Sequence, residues 1–148
     1  MDHMIMEAGK EQVDSLTKLG MELWPGNEYS ELKNDFLDNI ESDNNKLFLY
    51  LDRGVPVAFL HVSIRVDYVE GSDSSPTGYL EGIYVQPTHR RKGISTLLFN
   101  EGKAWLKRKG CTQVGSDMEI DNQDSYPFHM SLGFKEAGRL ITFIRDLD

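Results

Sequence analysis

Apolar and polar positions along this chain change period several times, and each change marks an element. A weak alternation at residues 4–6 predicts a short first strand. Across residues 10–24, Val13, Leu16, Leu19, Met21 and Leu23 recur near helical spacing, and Pro25-Gly26 ends the run. A second helical stretch, residues 29–40, sets Leu32, Phe36, Leu37 and Ile40 on one side. The period then falls to two. Residues 47–51 and 57–66 are β-rich runs joined by Asp52-Arg53-Gly54, which predicts a hairpin. Residues 67–78, with serine, proline, glycine and acids, predict a loop. Leu80, Ile83, Tyr84 and Val85 make a strand closed by Gln86-Pro87, and Ile94, Leu97 and Leu98 open a long helix closed by Gly110. Residues 113–118 read as a further strand and Asp121-Asn122 as the start of a loop. Ser125-Tyr126-Pro127 begin a short helix ending at Leu132, and residues 140–144 alternate as a last strand.

Antiparallel strands, then a strand-helix-strand unit, then a helix and a final hairpin predict an α/β (α+β) fold. Its mixed, mostly antiparallel central sheet would be flanked by helices, in one domain over residues 1–148.

Charge adds what the pattern lacks. With 24 acidic against 16 basic residues, the net charge is −8, which repels nucleic acid and attracts polycations. Glu28, Glu31, Asp35, Asp38 and Glu41 line the second helix, either as its wet face or as the border of a site for a cationic substrate. No apolar run approaches the roughly 20 residues that span a bilayer, and the N-terminus lacks a basic-then-apolar signal, so no membrane association is expected. The lone Cys111 cannot pair within the chain and reads as a small core residue, which fits a reducing compartment and points to the cytoplasm. No HExxH, cysteine pair or other ligand spacing is present, so no metal is expected. Met1 and Met4 each fit a native start, with Asp2-His3 read as an added remnant.

One basic cluster stands against the acidic background: His89-Arg90-Arg91-Lys92-Gly93-Ile94-Ser95, between a strand and a helix. Gly93 lets the backbone approach a ligand with no Cβ in the way. The free N–H groups of the helix start carry partial positive charge, and the three cations reinforce that field. The stretch reads as a pyrophosphate cradle, with a solvated basic turn as the alternative. It is too short for a dinucleotide fingerprint and lacks the Gly-Lys-Ser/Thr of a Walker loop.

The spacing Arg90-x-x-Gly93-x-Ser95, after a strand ending Val85-x-Pro87, resembles the acetyl-CoA loop of the GNAT acetyltransferase superfamily, with Ser95 where members usually carry Gly or Ala. Gly133-Phe134 resembles the family's C-terminal motif, with His129 at a position usually aromatic. Four segments extend the likeness over nearly the whole chain: LWPG at 23–26, SIRVDYVEG at 63–71, SSPTGYLEGIYV at 74–85 and SDMEIDN at 116–122. Together they resemble the bacterial aminoglycoside 6′-N-acetyltransferases, which move an acetyl group from acetyl-CoA to the 6′-amine of these antibiotics and confer resistance.

That resemblance implies a GNAT-like fold, acetyl-CoA as co-substrate, an aminoglycoside as polycationic acceptor and, since members are often dimers, a homodimer. It places substrate contacts on Trp24, Tyr68, Glu81 and Asp117, with Asn27 where relatives often carry histidine and Gly138 where they can place an acid. Acetyl-CoA contacts fall on Ile83, Tyr84 and Val85 along the thiol arm and on Arg91, Lys92, Gly93, Ile94, Ser95 and Thr96 around the pyrophosphate, with Asn122 beside them. Backbone N–H at Ile83 or Val85 would polarise the thioester carbonyl. Carboxylates suit the acceptor side because they form charge-assisted hydrogen bonds with ammonium groups. Glu81 is the candidate base, Asp117 the next, and His129 or solvent the acid for the leaving thiolate. The same residues also admit plainer readings: Trp24 as core, Tyr68 as a loop tyrosine, Glu81 as a solvated edge acid and His129 as a packing residue. Two other functions stay open, an N-acetyltransferase of another small amine or peptide and a non-catalytic acyl-CoA-binding domain.

Overall fold

The computed structural model describes residues 2–148. Five strands form one sheet in sequence order: β1 (His3–Glu7), β2 (Asn45–Asp52), β3 (Val55–Arg65), β4 (Thr77–Val85) and β5 (Val114–Gly115). β1 to β4 pair antiparallel and β5 joins β4 in parallel, so the sheet is mixed and mostly antiparallel. The predicted hairpin is present. Arg53 and Gly54 both take positive φ, 53° and 78°, a tight turn whose twist matches the strands it joins. Of the presumed N-terminal remnant, His3 pairs with Asp52 and stacks on Tyr50 at 5.6 Å, so it belongs to the folded sheet. Met1 lies outside the described residues.

Strand alternation sends side chains to two cores. On one face, α1 (Val13–Leu23), which follows a tight turn at Lys10–Gln12, and α2 (Tyr29–Glu41) bury Leu16, Leu19, Leu32 and Phe36 against Leu47, Leu49 and Phe59. On the other, α3 (Ile94–Arg108) buries Leu98, Trp105 and Leu106 against Leu60, Val62 and Leu80. Each such side chain, fully buried, contributes about 1.5–3 kcal/mol of transfer free energy. Cys111 packs into this second core, as expected. A short helix, α4 (Ser125–Ser131), follows β5.

Two expected strands depart from their reading. Of residues 113–118, only Val114 and Gly115 enter the ladder, opposite Gly78 and Tyr79. Past Gly115, where a Cβ would run into the Val69 and Tyr79 side chains, the chain leaves the sheet. Residues 140–144 form no strand. Leu140, Ile141, Phe143 and Ile144 are 78–99% exposed, because a segment apolar on both alternating faces needs cover over both, and the described residues supply none.

Candidate active site

β4 is shared by two sites. From Leu80 onward it pairs with β3 on one side and, among the described residues, with no strand on the other. Its free edge at Ile83, Tyr84 and Val85 therefore offers backbone groups to an extended ligand, as a sheet edge does to an added strand. The edge is held in place from both ends. Tyr84 donates its hydroxyl to Glu22 at 2.9 Å, and Arg90 donates Nε to the Val85 carbonyl at 2.8 Å.

Beyond it comes a turn at Pro87–His89 and then the basic loop. His89 contacts Asp52 at 2.9 Å, which holds the Asp52 carboxyl below its usual range, while Arg91 and Lys92 stay exposed. Gly93 caps α3 with φ 78°, and Arg91 also takes a positive φ of 64°. The first α3 backbone bond runs from Leu97 N–H to Gly93 carbonyl, so the N–H groups of Ile94, Ser95 and Thr96 have no helical acceptor. Apart from Gly93 and the backbone next to it, no described atom lies within 4 Å of where a Gly93 Cβ would stand. Free amides, two exposed cations and an open approach fit a diphosphate well.

The acceptor side is made by a bulge. His61 pairs with Gly82 and Val62 with Leu80, so Glu81 is an extra residue in β4. Glu81 and Gly82 thus project to the same face as Tyr79, a re-aiming that bulges commonly provide. Glu81 accepts Ser63 Oγ at 2.5 Å on Oε2, and Arg65 Nη2 on Oε1 at 3.1 Å and Oε2 at 3.0 Å. The Arg65 guanidinium also lies over the Tyr79 ring, 3.4 Å from its centroid. Tyr79 donates its hydroxyl to Asp117. Burial first, and Asp117 second, raise the Tyr79 phenol above its ordinary range. One connected network thereby joins Glu81 to Asp117. Beneath it, buried His61 donates Nε2–H to Asn45 at 2.7 Å, and burial pushes its pKa down to about 4 against a small opposing pull from Glu81.

The other candidates divide. Trp24 is half-buried, edge-on to Phe59 at 6.0 Å, and its ring occupies the space a Gly82 Cβ would need, 2.7 Å away. It therefore stands beside Glu81. Tyr68 is 78% exposed and donates to Glu70 at 2.9 Å; no bond joins it to either acid. Asn27 donates to the Trp24 carbonyl at 3.1 Å within its own turn. The Asn122 side-chain oxygen accepts the Ser125 N–H at 3.2 Å ahead of α4.

His129 lies 2.8 Å through Nδ1 from the Ser125 carbonyl, which accepts only, so that nitrogen carries the proton. Nε2, 2.7 Å from Ser116 Oγ, accepts from the hydroxyl. In the neutral form the ring thus has no free N–H, and the Ser116 hydroxyl spends its proton on Nε2. Sequence reading passed over Ser63, Arg65, Tyr79 and Ser116. The stripe His61, Ser63, Arg65, polar at every second position of an otherwise apolar strand, was the available signal.

This geometry has relatives. Residues 13–134 match the model of the acetyltransferase (GNAT) family. An aminoglycoside N(6′)-acetyltransferase type 1 of Acinetobacter haemolyticus is 37% identical over 97% of this chain and 99% of its own. Among solved structures, AAC(6′)-Iy in complex with the bisubstrate analog CoA-S-monomethyl-acetylneamine superposes with a TM-score of 0.92 at 33% identity, covering 99% of this chain and 100% of that one. The aminoglycoside 6′-N-acetyltransferase AAC(6′)-Ih from Acinetobacter baumannii gives 0.91 at 35%, covering 99% of both. With an open strand edge, a glycine-capped helix and these relatives in agreement, the chain belongs to the GNAT acetyltransferase family.

Proposed function

We propose that this protein is an aminoglycoside 6′-N-acetyltransferase acting as one domain. The observation that carries the reading is the double use of β4, whose free edge suits the acetyl donor while its bulge aims Glu81 at the acceptor. Acetyl-CoA supplies the acetyl group as a thioester. The amides of Ile94, Ser95 and Thr96, with Arg91 and Lys92, hold the diphosphate, Asn122 lies beside it, and Ile83 and Val85 polarise the thioester carbonyl through backbone N–H. Trp24 stacks on a sugar ring, Tyr68 and Asn27 border the cleft, and Asp117 anchors an ammonium group. Glu81 takes the proton from the attacking amine. Solvent, or His129 relaying through Ser116 when its Nε2 carries a proton, protonates the departing thiolate.

The test is an acceptor screen with acetyl-CoA, scoring free-thiol release with kanamycin, tobramycin, a 6′-hydroxyl analogue, polyamines and basic peptides. Kanamycin and tobramycin should be turned over, with NMR placing the acetyl group on the 6′-amine. Turnover confined to polyamines or peptides refutes the substrate, and no turnover at all refutes the enzyme.

The cytoplasm is the proposed compartment, where acetyl-CoA is available; fractionation of producing cells checks it. The proposed assembly is a homodimer. Residues 139–148 carry apolar side chains on both alternating faces, and among the described residues the outer edge of β5 carries no strand. A second copy can supply matching edges for both tails through one two-fold contact. Light scattering should give twice the chain mass, and Phe143→Asp should return it to one.

A further inference from the structure

The two acids of the acceptor side have unlike partners. Asp117 is exposed and accepts from a neutral phenol, Tyr79. Glu81 is half-buried and accepts from a cation, Arg65, and from Ser63. A carboxylate has about four acceptor positions. Ser63 and Arg65 fill both on Oε2, and Arg65 takes one on Oε1, which leaves Oε1 with the one free. The pair of Glu81 and Arg65 carries no net charge, whereas Asp117 keeps its full charge toward solvent.

The difference bears on the reacting nitrogen. An acceptor amine arrives as an ammonium and must lose a proton before it can attack. A bare, half-buried carboxylate would hold that ammonium as an ion pair, a contact that stabilises the ground state and slows the step. Environments that set two carboxylates apart also set their roles apart.

We propose that Arg65 is a positioning residue: it offsets the charge of Glu81 and leaves Oε1 as the proton-accepting oxygen, so that Glu81 works as a base while Asp117 does the anchoring. This rests on the acetyltransferase reading with Glu81 as base. Through its contact with the Tyr79 ring, the same guanidinium also fixes the phenol that holds Asp117.

Steady-state kinetics of Arg65→Gln and Arg65→Lys with kanamycin, and calorimetry with acetyl-CoA, test it. In Arg65→Gln, kcat should fall by about 30-fold or more while KM for kanamycin holds or falls, with acetyl-CoA affinity within about twofold of the parent. Arg65→Lys restores the charge without the fork or the ring contact, and should recover kcat to within about tenfold of the parent. A loosened cleft predicts the opposite split, so a raised KM with kcat retained overturns the proposal, as do parameters within about twofold of the parent. Should Arg65→Gln not fold, Arg65→Met, which also removes the charge, takes its place under the same criteria. A parent enzyme that turns over no aminoglycoside overturns the functional reading and this inference together; normal parent turnover with unaffected variants overturns this inference only.

Discussion

The two sides of β4 are built from different materials. The donor side is mostly backbone: a free strand edge, three amides at the start of α3 and a glycine at φ 78°. The acceptor side is side chains, tied together from Ser63 through Arg65 and Tyr79 to Asp117. A site made of amides tolerates most substitutions that preserve the turn. A site made of a connected polar network does not, because each member left unpaired costs about 1–3 kcal/mol.

The sharpest way to separate the sides is Glu81→Gln. It keeps shape and removes the base, so kcat/KM for kanamycin should drop by about 10²–10⁴-fold, the usual range for a lost general base. Calorimetry should find acetyl-CoA binding unchanged; a matching loss there would place Glu81 on the donor side.

Gly93→Asp breaks the other side. The position needs φ 78°, which an L side chain resists, and the new carboxylate faces the diphosphate. Acetyl-CoA affinity should fall by about 100-fold, counting roughly 1–2 kcal/mol for the backbone and a similar amount for charge repulsion. Aminoglycoside binding to the free enzyme should be preserved. Undiminished acetyl-CoA binding by a folded variant would falsify the cradle.

The smallest effect separates the sides by pH. His61 lies under the acceptor network with its pKa pushed down to about 4 by burial, below the ordinary 6.5 of an unfolded chain. Between these values the unfolded chain binds the extra proton. This stability is therefore present above pH 6.5 and lost as pH falls toward 4, by about 1.5 kcal/mol between pH 6.5 and 5. Urea unfolding at both pH values measures it, and His61→Gln should flatten the difference. An equal slope in the variant would assign the loss to other groups.

The hydrophobic periods carried α1, α2, α3 and the hairpin, since each has a full face to bury. They failed for residues 140–144, because alternation reports what a segment can bury and not which chain supplies the cover. The donor loop was legible because its chemistry is local: Arg90 to Ser95 are contiguous. Glu81 was legible as an acid out of place in a strand. Arg65 was not, since its meaning comes from cross-strand register and from an unpaired residue in β4 that no sequence spacing announces. His129 was found, but the Ser116 hydroxyl on its Nε2 stands between that nitrogen and any ligand on that side.

That unpaired residue gives the gene an unusual vulnerability to a single-codon deletion. Losing Glu81 would let β3 and β4 zip into a regular ladder, in which Val62 and His61 face the consecutive partners Leu80 and Gly82. The shortened strand would satisfy its backbone at least as well as the parent does. Yet the shortened stretch could no longer present both an acid and a small residue to the acceptor face. Natural in-frame deletions there would be expected to leave a protein that accumulates normally and protects nothing.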